Sequence, residues 1–295
     1  MQKSVYIILL NWNGREDTTA CVESCLKLRY PNFRILLVDN GSTDGSEALL
    51  RERFPELDVI QTGSNLGFAG GNNVGIRYAL EKGADYVWLL NNDTVVDREA
   101  LGELVRVAEA DAGIGVVGSK IYYYDQPELL WFAGGGIRKF SKLSYHVGAK
   151  QQDSDLFQND RQVDFITGCS LLIRRRTIED VGLMNETYFL YCEDTDWSLR
   201  IRKAGWQIWW AAASRIWHKV SSSHGEYNPF LNYYCVRNIL QCVKLNDPAK
   251  LPFTVLSLLK NHVVLKLVQR DFAAIKWAFV GFKDFVIGRL GRYAP

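Results

Sequence analysis

Over the first 125 residues, short runs of aliphatic and β-branched side chains alternate with segments whose apolar positions recur at helical spacing. The pattern predicts strands over residues 5–10, 34–38, 58–61, 86–90 and 115–121, separated by helices near 18–28, 46–54, 72–82 and 98–110. Such alternation calls for an α/β fold, a mostly parallel sheet covered by helices. From Tyr122 to about Asp160 the period is lost in an aromatic stretch containing Gly134-Gly135-Gly136, which predicts hairpins and a mobile loop. A strand over 163–174, a helix beginning near Glu193, a strand over 207–211 and helical patterns after Pro229 and Pro252 complete the chain.

With 295 residues, 47% of them apolar, the chain can bury a full core. A formal net charge of +2 argues against a nucleic-acid partner, which calls for a concentrated basic surface. The charge is unevenly placed, however: residues 248–295 hold eight Lys/Arg against two Asp/Glu. Apolar and aromatic side chains alternate there with spaced bases, and no uncharged run reaches membrane-spanning length. A helical pair lying on an anionic membrane surface, packed on the rest of the chain, or joining a homodimer fits equally. The first apolar run is six residues, short for a signal sequence, and the six cysteines form no CxxC pair. A cytoplasmic protein, soluble or peripheral on the cytoplasmic face of the inner membrane, is expected.

Candidate chemistry gathers at predicted strand ends, where an open parallel sheet places its ligand crevice. Asn11-Trp12-Asn13-Gly14 follows the first strand, Asp39-Asn40-Gly41-Ser42 the second, and Asn91-Asn92-Asp93 the fourth. Singly, each also reads as an ordinary turn or helix cap. Neither GxGxxG after the first strand nor GxxxxGK[ST] occurs, which disfavours a nicotinamide site or a P-loop. Asn65-Leu66-Gly67-Phe68-Ala69-Gly70-Gly71-Asn72 opens the third helix, where small residues and free N–H groups suit either a charged ligand or a plain glycine turn. Glu193, Asp194 and Asp196 crowd a helix start, and Asp194 shares the inward face with Trp197 and Ile201.

In matching order, the segments VDNGSTDGS, NLGFAGGNN, LLNNDT, YCEDTDWSLRIRKAGW and the Trp217-His218 pair resemble family 2 glycosyltransferases, especially the bacterial rhamnosyl- and galactofuranosyltransferase-like members. The resemblance implies a GT-A fold over residues 1–245, with a nucleotide-binding half (1–121), an acceptor and catalytic half (122–245), and a helical extension over 246–295. It implies a dTDP-, UDP- or GDP-linked sugar donor, a saccharide or lipid-linked acceptor, Mg2+ or Mn2+, and inversion at the anomeric carbon in cell-surface polysaccharide synthesis.

Carried onto this chain, the resemblance sets Asp39 against the donor base and Trp12 against its ring, with Asn11, Asn65, Gly70, Gly71, Asn72, Asn91 and Asn92 around the donor. Asp93 and His218 would hold the metal, although Asn91 stands where the family's D-x-D pattern begins with an acid. Asp194 would be the general base with Glu193 beside it. Thr167, Gly168, Cys169, Trp197 and Arg237 would face the acceptor, Arg237 together with Tyr233 and Asn238 matching the galactofuranosyl-type pattern. A nucleotidyltransferase, which would need a basic triphosphate loop not evident here, and an inactive sugar-binding relative are the rival readings.

Overall fold

The computed structural model describes residues 2–220 and 228–294. Four parallel strands, β1 (Val5–Asn11), β2 (Phe33–Asp39), β3 (Asp58–Gln61) and β4 (Tyr86–Asn91), lie in the order β3-β2-β1-β4. They are connected through α1 (Arg15–Cys25), α2 (Ser46–Arg53) and α3 (Gly67–Glu81). Buried along nearly its whole length, β1 is the apolar run that a strand covered on both faces requires. The chain steps outward from β1 to β3 and then returns past β1 to β4. Strand order therefore reverses between β1 and β4, opening a crevice at their carboxyl ends. Asn11 lies opposite Asp39, and Leu10 opposite Asn91, so the three polar clusters meet there.

Next come β5 (Thr94–Val96), α4 (Ala100–Ala110), β6 (Ile114–Tyr123), β7 (Gln126–Phe132), β8 (Gly135–Ile137), β9 (Ser144–His146), β10 (Arg161–Gln162) and β11 (Ser170–Arg174). They are followed by α5 (Arg175–Val181), α6 (Glu193–Lys203), β12 (Gln207–His218) and α7 (Leu231–Asn246). β11 inserts antiparallel between β4 and β6, and β12 runs parallel to β6. The expected strand over 163–174 is shorter because the chain turns at Thr167–Cys169. The strand expected over 207–211 instead continues to His218 through two register shifts. Its polar interruption, Ser214, joins a buried hydroxyl chain with Ser119 and Ser170 that also receives the Trp88 indole N–H.

α3 begins at Gly67, five residues before the predicted start. Packing overrides weak glycine propensity here: a Cβ on Gly71 would lie 2.4 Å from a Leu10 methyl, and one on Gly75 2.8 Å from an Ile8 methyl. The glycines thus seat the helix against β1.

The chain ends in α8 (Leu251–Leu259), α9 (Leu265–Val268) and α10 (Phe272–Val286). Val236, Leu240, Leu258 and Ala278 form a small core between α7, α8 and α10. With α8 and α9 joined by a π-turn, Pro248–Val268 is one 21-residue helix, long and apolar enough by composition to cross a membrane, with 11% of its apolar window buried. The spaced lysines had pointed to no such stretch.

Gly67 has φ +76°, and a Cβ there would meet the Phe189 carbonyl oxygen at 2.3 Å. Replacing Gly67 with Ala is expected to cost about 2 kcal/mol or more, from left-handed strain plus a backbone clash. Urea unfolding checks this; an unchanged midpoint would contradict the close docking of the 186–192 loop on α3.

Candidate active site

At the donor end, Asp39 is 1% exposed and accepts hydrogen bonds from Asn11 Nδ2 (2.7 Å), Ser42 N–H (2.8 Å) and Gln61 Nε2 (2.9 Å). Three of the roughly four acceptor positions of this carboxylate are thus taken within the chain. Beside it Trp12 stands 51% exposed at the crevice edge, held where the Asn13 and Ser42 loops tie together, with an open indole face.

Several of the residues expected around the donor make hydrogen bonds within the chain. Asn11 is buried, its amide spent on Asp39 and Ser42 and its oxygen on Gly14 and Thr18. The Asn92 amide donates to Thr18 Oγ1 at 2.8 Å. Asn65 accepts from Gly67 N–H and Asn40, and Asn72 donates to the Phe68 carbonyl. Gly70 and Gly71 are buried, Gly71 against β1 and Gly70 against Leu66. The Phe68 N–H at the start of α3 donates to the Phe189 carbonyl at 2.7 Å.

Asp93 and His218 are brought together by sheet register. β5 pairs antiparallel with the end of β12, setting His218 opposite Thr94, and Lys219 N–H donates to the Asp93 carbonyl at 2.9 Å. His218 Nε2 and Asp93 Oδ1 are 3.1 Å apart, both residues nearly buried. Burial opposes a charged imidazole, but Cys169 and Asp93 outweigh it and raise the His218 pKa. Burial also raises the Cys169 thiol pKa, so the Asp93 carboxylate is the negative charge that holds the proton on the imidazole.

One carboxylate oxygen and one imidazole nitrogen suit a hard divalent cation that could replace that proton, and His218 Nδ1 is a buried atom with no hydrogen-bond partner. No cluster of three or more His, Cys, Asp or Glu among the described residues could form a closed cage. Such an ion would therefore draw its remaining ligands from phosphate and water. Asn91, half-buried at the end of β4, precedes Asp93 by two residues.

Asp194 stands on the first turn of α6. Its Oδ2 accepts Gly168 N–H at 3.0 Å and its Oδ1 accepts Thr195 N–H at 2.6 Å, leaving the carboxylate partly exposed. Gly168 cannot carry a side chain: a Cβ would lie 2.8 Å from the Phe68 ring. Thr167 accepts Cys169 N–H and is buried with it. Gly168 thus reaches Asp194 while the adjacent Cys169 feels His218 and Asp93.

Sequence reasoning missed His146, at the end of β9 in the irregular stretch. Its ring packs at 4.6 Å from Trp131 and 4.9 Å from Phe132, and Trp131 in turn packs at 4.7 Å from His218. Burial holds the His146 pKa below the ordinary value; Asp194 opposes that shift and His218 adds to it, so both lie within electrostatic reach. No period or motif announced this residue.

Trp197 and Arg237 are corrections. Trp197 is fully buried in the main core and donates to the Gly182 carbonyl, so its indole cannot meet an acceptor. Arg237 is fully buried, donating to Tyr233 Oη, Asn238 Oδ1 and the carbonyls of Tyr188 and Gly291. Asn238 donates to the carbonyls of Tyr188, Leu190 and Tyr191. Together they clamp the loop that delivers Glu193 and Asp194, in which Phe189, Tyr191 and Cys192 all have positive φ. Asp196 is structural too, paired with Arg200 at 3.0 Å and bonded to Tyr188 and Asn246.

Residues 4–182 match the family model described as glycosyl transferase family 2. The chain belongs to that family. It is 28% identical over 209 residues to N-acetylglucosaminyl-diphospho-decaprenol L-rhamnosyltransferase of Mycobacterium tuberculosis, covering 65% of this chain and 68% of that protein. It is 26% identical over 247 residues to rhamnosyltransferase WbbL of Escherichia coli K12, covering 77% and 87%. The mannosyltransferase PcManGT of Pyrobaculum calidifontis, solved with GDP-Man and Mn2+, superposes over 98% of this chain and 88% of its own with a TM-score of 0.62 at 15% identity. The fold is GT-A. Asp39 and Asp93 lie within the matched family region, whereas Asp194 and His218 lie beyond it.

In this glycosyltransferase Glu193 is 5% exposed, its Oε2 has no hydrogen-bond partner, and burial together with the Asp194 charge pushes its pKa up to about 8. The folded chain therefore holds this proton more tightly than the unfolded one, whose pKa is near 4.5. The resulting stability is present in full at low pH and declines as pH rises from about 4.5 to 8. Glu193→Gln, which cannot ionise, should gain on the wild type by an amount on the order of a few kcal/mol across that window. Urea titrations at several pH values check this; parallel profiles would mean Glu193 is solvated and charged.

Proposed function

We propose that this family 2 glycosyltransferase moves a rhamnose-like sugar from a nucleotide-diphosphate donor to a hydroxyl of a saccharide or lipid-linked acceptor in surface polysaccharide synthesis, with inversion. The single observation that carries the reading is the Thr167–Cys169 turn, with Asp194 on its Gly168 N–H and the Asp93–His218 pair beside Cys169. The rhamnosyltransferase relatives support the sugar class, and the relative that acts on a diphospho-decaprenol supports a lipid-linked acceptor.

In this mechanism Trp12 stacks on the donor base and Asp39 accepts its imide N–H. Asp93 and His218, with Asn91 nearby, would hold Mg2+ or Mn2+, whose charge would stabilise the departing diphosphate. Asp194 accepts the acceptor hydroxyl proton as that oxygen bonds to the anomeric carbon and the bond from that carbon to the diphosphate oxygen breaks. The Gly168 and Thr195 N–H groups hold the Asp194 carboxylate in place. Neutral Glu193 beside it adds no second negative charge at the attack point.

Loss of a general base costs roughly 10²- to 10⁴-fold in rate. Asp194→Asn should therefore lose turnover by that factor while binding nucleoside diphosphate as tightly as the wild type. Near-wild-type turnover would refute the assignment. Nucleoside diphosphate release from dTDP-, UDP- and GDP-sugars should also cease with a chelator and return with Mn2+, and His218→Ala should raise the Mn2+ concentration needed for half-maximal activity. Full activity in chelator would remove the metal from the account.

A further inference from the structure

The C-terminal helices leave a basic, apolar face that no step of the proposed transfer uses. Ten of the nineteen exposed large apolar side chains among the described residues fall between residues 248 and 295, where eight Lys/Arg face two Asp/Glu. Concentration on one segment marks an interaction surface rather than the single exposed apolar residues found on any protein. A groove of about 610 Å³ extends this face where α8 meets the loop after β8. Arg138, Lys139, Phe140, Tyr145, Phe253 and Leu256 help line it, and no carboxylate does. The cations rest on rings: Arg138 lies 5.3 Å from the Tyr145 centroid, and Lys250 lies 5.4 and 5.8 Å from those of Phe140 and Phe253. Positive charge without carboxylates, beside aromatic rings and an apolar helix face, complements an anionic headgroup layer over acyl chains.

We propose that this face docks on an anionic lipid bilayer, with lipid phosphates at the groove and Leu256, Val264, Leu267 and Val268 in the acyl boundary. Although Pro248–Val268 is long enough to span a bilayer, its other side is committed to protein. Thr254 and Leu258 are fully buried, Thr254 Oγ1 donates to the Ser141 carbonyl at 2.9 Å, and His262 Nδ1 lies 3.0 Å from Asn232 Oδ1. Crossing the bilayer would break these contacts and place their polar groups in hydrocarbon. The helix therefore lies along the surface, packed on protein on one side and wetted by lipid on the other. α10 also exposes Phe272 and Phe279, with Lys276 between them in the chain.

Flotation of the full chain with vesicles tests this. Binding to phosphatidylglycerol/phosphatidylcholine vesicles at low salt should fall at least about tenfold at high salt, where the headgroup charge is screened. It should fall as far with pure phosphatidylcholine, in the double variant Arg138→Ser/Lys139→Ser, and in Leu256→Ser/Val268→Ser. These positions are exposed, so both variants should stay folded and keep transfer to a soluble acceptor. Failure to float, equal binding to uncharged vesicles, or indifference to either variant would overturn the proposal. A dimer that Leu256→Ser dissociates, without flotation, would assign the face to a second copy and overturn it as well. Flotation needs no turnover, so its failure and the failure of the catalytic reading are read separately.

Discussion

The proposed site depends on one constraint: two adjacent backbone positions, Gly168 and Cys169, link Asp194 to the Asp93–His218 pair. Gly168 has no side chain because Phe68 fills that space, and its N–H is given to Asp194. Cys169 carries a small, neutral thiol beside His218 and Asp93. A side chain at Gly168 would press on the Phe68 ring. The turn also explains why the strand predicted across this region stops short, since a continuous ladder would leave no N–H for the carboxylate.

The approach to Asp194 is strained and heavily supported. Three non-glycine residues with positive φ within four positions are costly, at about 1–3 kcal/mol each, and persist only where the surroundings over-determine them. The Arg237 and Asn238 side chains bond the loop carbonyls, Gly67 makes room for Phe189, and Gly291 N–H donates to the Thr187 carbonyl at 2.7 Å. Arg237 itself sits in a buried network through Tyr233 to Asp284 on α10. The C-terminal helices thus contribute to the site without entering it, by fixing the segment that presents the acid.

What the sequence disclosed follows the physics of periodicity. The alternating first 125 residues and the acid-rich start of α6 were legible because strand and helix burial leave repeating marks. Asp39, Asp93, Asp194 and His218 stood out because carboxylates and histidine at strand and helix ends are chemically conspicuous. Trp197 was correctly read as facing inward, but an inward indole on such a helix is core. The bonds that hold Arg237 and Asn11 escaped the sequence because their partners lie 49 and 28 residues away in the chain, and no local pattern reports a distant carbonyl or carboxylate. His146 was invisible because the 122–160 stretch has no period, and only the sheet brings Trp131 between it and His218.

The central claim is that one cleft holds the diphosphate from the Asp93 and His218 side and the attacking hydroxyl from the Asp194 side. A crystal soaked with Mn2+ and a nucleoside diphosphate, with anomalous data collected at the manganese edge, measures this directly. The account predicts one strong peak roughly 2.0–2.3 Å from an Asp93 oxygen and a His218 nitrogen, with the diphosphate on its far side, the base against Trp12, and Asp194 facing the terminal phosphate. A peak elsewhere, or a nucleotide whose phosphates turn away from Asp194, would contradict it.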